Sequence, residues 1–258
     1  MTGDLLSPTQ ILIPAAAFGL VFGSFVTAVS YRLPRGQSFA AGRSQCPHCK
    51  TALTARDLVP VLSWALNRGR CRHCNASVSA RYPLIELTTA VVFVSAAWRV
   101  HDLVELMALC AAGAVMVALA VIDLEHRRLP LPLLLVLAAL LLTLGWMRNV
   151  DLTSAVGLAL GIAVGGVALA AASRALTGTP ILGAADAYAL SVGALAQTWQ
   201  MTVVFAGLAG LLGLIVGLGW RLATGQNRFP FGPAIFASLW ACLLSPGLFT
   251  AIMDRFAA

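Results

Sequence analysis

Runs of predominantly apolar residues follow one another along the chain, separated by short polar connections. A helix needs about 20 such residues to cross the hydrocarbon core of a bilayer, so the pattern predicts an all-α polytopic membrane protein with about eight transmembrane helices. Several of the runs are short and rich in Gly and Ala. The predicted helices cover residues 11–31, 83–99, 103–122, 131–147, 152–173, 181–198, 200–220 and 232–252.

The composition excludes a water-soluble domain. Hydrophobic residues make up 59% of the chain, charged residues only 10%, and the mean hydropathy is +0.87. A soluble domain of this size could carry such values only with a very large exposed apolar surface. One segment, 32–82, is polar and basic. We therefore expect three parts: a first transmembrane helix in 1–31, a loop domain in 32–82, and a seven-helix membrane domain in 83–258.

Two Cys-x-x-Cys motifs lie in the polar segment, CPHC and CRHC. Each motif places two thiolates on one tight turn, so the pair can fill a tetrahedral Zn²⁺ site without leaving a vacancy for catalysis. We therefore predict a zinc-ribbon-like insert whose metal is structural. Two disulfides are the alternative, and these form mainly in oxidising compartments. The predicted ligands are Cys46, Cys49, Cys71 and Cys74, with His48 and His73 as surface residues.

Positive charges set the expected orientation, because cytoplasmic loops carry an excess of Lys and Arg. If the N-terminus lies outside, all of the 17 Lys and Arg fall in inward-facing segments except Arg99, Arg148 and Arg255. This predicts both termini outside and the cysteine segment in the cytosol, where zinc is favoured over disulfides. The cations are scattered without an aromatic platform, so we expect membrane lipid and no nucleic acid as a partner.

Two aspartates fall within predicted membrane helices, where a carboxylate costs about 2.5–3.5 kcal/mol and marks a function or a buried pair. Asp123 ends the helix 103–122. Asp186 lies in the predicted helix 181–198, about 9 Å along its axis if Thr179 is the N-cap and Pro180 the first helical residue. Both carboxylates would then sit at a similar shallow depth below the cytosolic surface.

Two carboxylates brought together there would share a proton. One would act as a base on water while its neutral partner polarises a carbonyl, which is the chemistry of an aspartic protease. The alternative is that each aspartate caps a helix on its own or pairs with a nearby arginine. The candidate cations are Arg127, Arg128 and Arg174.

Several longer motifs occur in a fixed order along almost the whole chain. They are GSFVTAVSYRLPRG at 23–36, the two cysteine motifs, DLVPVLSWALNRGRCRHC at 57–74, RYPLIEL at 81–87, IDLEHRRLP at 122–130 and FPFGPAIFA at 229–237. In these motifs the sequence resembles bacterial type IV prepilin peptidases, inner-membrane aspartic proteases of the GxGD type. Members of that family remove the leader from prepilins and pseudopilins at the cytosolic face, and many also methylate the new N-terminus with S-adenosylmethionine.

The resemblance implies roles for individual residues. Asp123 and Asp186 would be the catalytic pair, and the four cysteines would hold zinc. Gly23, Ser24 and Glu86 would belong to a methyl-transfer site that uses S-adenosylmethionine. For Glu86 the alternative is simpler, because an acid in the first turn of the helix that starts at RYP is favoured by the helix dipole whatever the function.

The chain departs from the family pattern at three positions. Ala185 and Tyr188 stand where the GxGD motif has its second glycine and a following lysine, and Thr27 stands where the GSF motif continues to asparagine. Two alternatives to a bifunctional enzyme therefore stay open. One is a peptidase that lacks methyl transfer, and the other is a non-catalytic assembly scaffold with the same fold.

Overall fold

The computed structural model describes residues 8–38, 43–179, 181–226, 228–245, 247 and 255, and the chain divides into two compact units, Met1–Leu106 and Met107–Ala258. Within the described residues the secondary structure is helical apart from two isolated β-bridges. The α-helices are α1 Pro8–Arg32, α2 Leu62–Leu66, α3 Arg81–Arg99, α4 Leu103–His126, α5 Leu131–Met147, α6 Leu152–Thr177, α7 Ala184–Gly193, α8 Trp199–Thr224 and α9 Gly232–Leu244.

Every predicted apolar run coincides with one of these helices, and the short α2 lies in the polar segment. This confirms the all-α membrane class. Four helices are long and apolar enough to cross a membrane: Gln10–Arg35, Leu103–His126, Leu152–Thr177 and Trp199–Thr224. Three more are apolar but shorter, and α3 is less apolar than the rest. The count of eight spans stays a prediction, and the last predicted run, 232–252, extends beyond the described residues.

In the first unit α1 and α3 cross with their backbones in close contact. A Cβ added to Gly19 would lie 2.5 Å from the Cα of Ala90, and one added to Gly23 would lie 2.5 Å from the Cα of Glu86. Small residues permit this approach between membrane helices. The consequence is that Gly23 and Glu86 face each other across the helix pair.

In the second unit the helices that carry the aspartates are held by similar contacts. A Cβ on Gly166 of α6 would lie 2.6 Å from the Cβ of Ala187, so α7 is fixed against α6. The rings of Phe231 and Phe229 pack against Gly213 and Gly217 of α8. This packing fixes the segment that leads into α9. One side of α4 is buried, and its Leu109, Leu119 and Ile122 are among the largest fully buried side chains.

The start of α7 corrects one expectation. Thr179 is not the N-cap of this helix, and Pro180 lies outside the described residues. The preceding helix α6 ends at Thr177 with Gly178 in the left-handed conformation, and α7 begins at Ala184 after Gly183 in an extended conformation. Glycine adopts the left-handed state at no steric cost, so the chain turns there. Asp186 consequently lies in the first turn of α7 and not about 9 Å along a helix that starts at Pro180.

Candidate active site and metal centre

Asp123 lies in the last turn of α4 and is buried, with 5% of its surface exposed. Its Oδ2 accepts a hydrogen bond of 2.7 Å from the backbone N–H of Gly232. A Cβ at position 232 would lie 2.8 Å from that oxygen, so only glycine fits beside the carboxylate. Gly232 is the first residue of α9, and its N–H is one of the donors that a helix N-terminus leaves unpaired.

Asp186 lies in the first turn of α7 and is partly buried. Its carboxylate bends back over Gly183 and accepts the backbone N–H of that residue. A Cβ on Gly183 would lie 2.7 Å from Oδ2 of Asp186, so this contact also depends on a glycine. An acid that reaches back from the first turn to the N-cap backbone is half of a capping box.

The two carboxylates belong to the same unit, and they are close enough for the charge of one to act on the other. The helices α7 and α9, which carry Asp186 and the Gly232 donor, pack against each other. Arg127 follows Asp123 closely, but its guanidinium donates to Gln226 and lies 5.9 Å from the centre of the Trp220 ring. Each aspartate therefore accepts a hydrogen bond from the backbone amide of a glycine.

The four cysteines form a single cluster in which the ligand atoms all lie within 4.8 Å of one another. Sγ of Cys46 is 3.9 Å from Sγ of Cys74. In a tetrahedral site with Zn–S bonds of about 2.3 Å, neighbouring sulfurs are about 3.8 Å apart, so the cluster fits a bound Zn²⁺. All four cysteines are free thiols. Among the described residues the group of candidate ligands contains these four thiols alone, which is the number that a structural zinc site uses.

Equivalent backbone contacts build the two halves of this cluster. In the first motif the N–H of Cys46 donates to Thr51 and that of Lys50 donates back to Cys46. In the second, Cys71 and Asn75 repeat this pattern with Ala76. Lys50 and Asn75 directly follow the second cysteine of each motif, and both adopt a positive φ, 58° and 57°. Each motif is thus a tight turn that directs two sulfurs to the same point.

Thr51 lies beside one of the four sulfurs and changes its pKa. Its hydroxyl lies 3.3 Å from Sγ of Cys49. Hydrogen bonds from the Thr51 side chain and backbone lower the pKa of the Cys49 thiol to about 6. Because the thiolate is the form that binds zinc, this contact favours the ligand state at neutral pH.

Glu86 is part of a polar cluster in the first unit. It is 7% exposed, it accepts the backbone N–H of Val61 at 2.7 Å, and it bonds the Ser24 side chain. The helix α3 starts at Arg81, so Glu86 lies in its second turn and not in its first. The helix dipole acts within the first turn, so the dipole alternative loses its basis. The structure brings Gly23, Ser24 and Glu86 together.

Thr27 lies one turn beyond Gly23 and is buried. Its hydroxyl donates to the carbonyl of Gly23 at 2.9 Å. Ser30, one turn further, accepts a hydrogen bond of 2.8 Å from the guanidinium of Arg81. The polar face of α1 therefore pairs with the start of α3 over two turns.

Comparison with known proteins covers most of the chain. The profile of the bacterial peptidase A24 N-terminal domain matches residues 17–100, and that of the type IV leader peptidase family matches residues 110–218. The chain belongs to the type IV leader peptidase family. No solved structure is similar enough to count as a match.

Three relatives in this leader peptidase family share the name prepilin leader peptidase/N-methyltransferase. The protein of Bacillus subtilis is 32% identical over 223 residues, which cover 85% of this chain and 88% of the relative. That of Aeromonas hydrophila is 33% identical over 261 residues, 88% of each chain. That of Myxococcus xanthus is 35% identical over 214 residues, which cover 81% of this chain and 62% of the relative.

Two residues of this leader peptidase family member contribute to the sites in a way that the sequence did not predict. Val61 contributes only its backbone N–H to Glu86, and nothing in a valine side chain indicates that contact. Gly232 was predicted to open the last helix, but not to bind Asp123. A signal for it exists in the FPFGP motif, where a glycine beside a helix-starting proline suggests that another group approaches the backbone closely.

Proposed function

We propose that this leader peptidase family member is an aspartic endopeptidase of the bacterial inner membrane. It would remove the leader of type IV prepilins or pseudopilins at the cytosolic face and then methylate the new N-terminus with S-adenosylmethionine. The observation that carries the proteolytic part is the pair Asp123 and Asp186, two membrane-helix carboxylates within electrostatic reach, each accepting a glycine N–H. The names of the relatives supply the substrate class and the methyl transfer.

The proposed reaction divides the work between the two carboxylates. One, ionised, takes a proton from a water molecule, whose oxygen attacks the carbonyl carbon of the scissile peptide. The other, protonated, gives its proton to the carbonyl oxygen as that oxygen gains charge. Collapse of the tetrahedral intermediate breaks the C–N bond, and the leaving amine takes up the proton that the base received. One hydroxyl of the intermediate returns its proton to the other carboxylate as the product carboxylic acid forms, so the pair again holds one proton. The charge of one ionised carboxylate disfavours ionisation of the other, which favours one shared proton on the pair.

The departures at Ala185 and Tyr188 are compatible with this chemistry. The glycine on which Asp186 depends is Gly183, and this one is retained. Ala185 is an ordinary helical residue of α7, where alanine has the highest helix propensity. Tyr188 is exposed. The local geometry of residues 183–186, which read GAAD, therefore supports a working protease over a scaffold.

We propose that the four cysteines hold one structural Zn²⁺. The ion would tie together a loop too small to bury a core of its own.

We further propose that the chain spans the membrane eight times, with both termini outside. Its three parts are the first helix in 1–31, the cytosolic cysteine loop in 32–82 and the peptidase domain in 83–258. The support for this topology is the distribution of Lys and Arg. A substrate helix would enter laterally from the lipid, with its leader in the cytosol.

The methyl-transfer site is proposed at Gly23, Ser24 and Glu86. Its support is the contact of all three residues at the crossing of α1 and α3. The peptidase-only alternative is motivated by Thr27, whose hydroxyl is engaged with the Gly23 carbonyl and which has no amide to offer. Both candidates remove the leader, and they differ in whether the new N-terminus is then methylated.

One experiment separates these functions. The protein is co-expressed with a prepilin in a host that lacks its own peptidase, and the pilin is analysed by intact mass and N-terminal sequencing. Loss of the leader together with one added methyl group supports the bifunctional enzyme. Loss of the leader without the methyl group supports the peptidase-only alternative. An unprocessed prepilin, with the protein present in the membrane, would refute the protease and favour the scaffold.

A further inference from the structure

The short helix α2 exposes an apolar face in an otherwise basic segment. Leu62 is 54% exposed and Leu66 is 74% exposed. These residues are four positions apart and therefore lie on the same side of the helix. Leu58 and Val59, which precede α2, are also exposed. A contiguous apolar patch with charged surroundings marks an interaction surface.

The other side of α2 is fixed to the cysteine segment. The indole N–H of Trp64 donates to the carbonyl of Val78 at 2.9 Å. A Cβ on Gly69 would lie 3.0 Å from the same indole ring. Because Trp64 is held in this way, α2 cannot rotate to turn its leucines inward without breaking the contact. The apolar face is therefore a permanent feature of the surface.

The start of α2 is held at a defined level of α3. Val61, directly before α2, donates its N–H to Glu86 at 2.7 Å. Glu86 is five residues beyond the first residue of α3, which is about 7.5 Å along the helix axis. The α3 residues on either side of it, Leu84 and Leu87, are exposed as in a helix that faces lipid. The apolar face of α2 thus begins at the level at which α3 presents leucines outward.

Charged and aromatic residues indicate which layer of the membrane surrounds the start of α3. Tyr31 at the end of α1 and Tyr82 at the start of α3 are both exposed, and tyrosine is enriched at the membrane–water interface. Arg68 and Arg70 lie two and four residues after the end of α2 and are exposed. Cations next to an apolar helix face are the pattern of a segment that lies on an anionic membrane surface.

We propose that α2 is an interfacial anchor that binds anionic phospholipid in the leaflet from which α3 starts. Leu62 and Leu66 lie at the boundary of headgroups and acyl chains, and Arg68 contacts lipid phosphates. The positive charge of the arginines favours an anionic lipid over a positively charged peptide, because the same arginines would repel the peptide. Together with the Val61–Glu86 hydrogen bond, the anchor fixes the cysteine segment against the bilayer at two points.

The test uses the full-length protein in nanodiscs, with a diazirine amino acid at position 66. The matched control carries the same amino acid at Ser77, which is exposed and polar and lies in the same segment. After irradiation, lipid adducts are counted by mass spectrometry in neutral phosphatidylcholine and in discs with added phosphatidylglycerol. We expect severalfold more lipid adduct at position 66 than at position 77, and an increase at position 66 with phosphatidylglycerol.

A second variant isolates the charge. Arg68→Gln, combined with the probe at position 66, should remove the dependence on phosphatidylglycerol while adducts in neutral lipid persist. The zinc content of each variant is measured to verify that the segment is folded. Equal adduct yields at positions 66 and 77 in folded protein would refute the anchor. So would a probe at position 66 that labels an added prepilin leader peptide in place of lipid, since α2 would then be a peptide site.

Discussion

The backbone N–H of Gly232 donates a hydrogen bond of 2.7 Å to Oδ2 of Asp123, across 109 residues of sequence. The partial positive charge of a helix N-terminus favours a carboxylate at this place. Gly183 and Asp186 repeat the arrangement within α7. Both carboxylates of the candidate active site are therefore oriented by backbone amides, and each amide is accessible because its residue has no side chain.

The first prediction tests whether Asp123 and Asp186 act as one unit. Replacing either with Asn should reduce leader cleavage by roughly 10²–10⁴-fold, the range for loss of a general acid or base. The double variant should be little worse than either single one, because residues that act together are not additive. The measurement is the cleavage rate of a prepilin by purified protein in detergent or nanodiscs.

Glu125→Gln provides the matched control for this pair. Glu125 is two residues from Asp123 but on another side of α4, and it lies 4.0 Å from His126. Its replacement should leave cleavage within a few-fold of the unaltered protein. A full rate in Asp186→Asn, or a double variant whose loss is the product of the single losses, would contradict the shared mechanism.

The second prediction concerns Gly232. In Gly232→Ala the new Cβ would lie 2.8 Å from Oδ2 of Asp123, so the carboxylate has to move. A displacement of about 1 Å in a catalytic group can cost about 100-fold in rate, and we expect a loss of that size in cleavage. Gly207→Ala is the control, because no atom lies within 4 Å of its added Cβ. If the two variants cleave at the same rate, the Gly232 contact does not position the carboxylate.

The third prediction concerns the metal. Elemental analysis of the purified protein should give about one zinc per chain. Cys71→Ser should lower this value sharply, because one of four thiolate ligands is lost, and should make the segment 43–78 sensitive to protease. Cys242→Ser is the control, since Cys242 is buried in α9 and is not one of the four clustered cysteines. Full zinc content in Cys71→Ser would rule out the four-cysteine site.

The fourth prediction separates methyl transfer from proteolysis. In Glu86→Gln the side-chain carbonyl can still accept the Val61 N–H, so the fold should persist while the negative charge is lost. We expect N-methylation of the processed pilin to fall with leader removal within a few-fold of normal. Glu105→Gln, in the first turn of α4, is the control. A parallel loss of both activities in Glu86→Gln would instead indicate a structural role.

The fifth prediction concerns orientation. A cysteine at Ser38 should resist a membrane-impermeant thiol reagent in intact cells, whereas one at His101 should react, because the excess of Lys and Arg places Ser38 inside. His101 is exposed and lies between α3 and α4. The parent protein is labelled in parallel to account for the native thiols. Labelling at Ser38 from outside would reverse the topology and the cytosolic location of the aspartates.

Local sequence was sufficient for the helices and for the metal ligands. An apolar run can satisfy its backbone in lipid only as a helix, and in the described part of the chain each predicted run contains an α-helix. Two Cys-x-x-Cys motifs predicted the cluster because each is a self-contained turn, and the structure brings their four sulfurs together. The helices and the two cysteine turns are each built from contacts within a few residues of the chain, whereas the contact between the two turns joins Cys46 to Cys74.

The start of α7 shows where local signals fail. Thr179 and Pro180 have the residue types of a helix start, but Gly178 ends α6 and Gly183 starts α7. Which of two adjacent start signals is used depends on the packing of Ala187 against Gly166 of α6, a contact that the local sequence does not contain. Propensity is a weak guide when tertiary contacts compete with it.

The sequence by itself determined the membrane class, the cysteine cluster and the identity of the two membrane-helix aspartates, because each follows from residue types and short spacings. Only the tertiary structure decided that Gly232 holds Asp123, that Val61 holds Glu86, and that α2 turns its leucines outward. These contacts use backbone donors and exposed faces that depend on how distant segments pack. A backbone N–H is present at every residue except proline, so its partner is fixed by the fold and leaves no mark in the residue type.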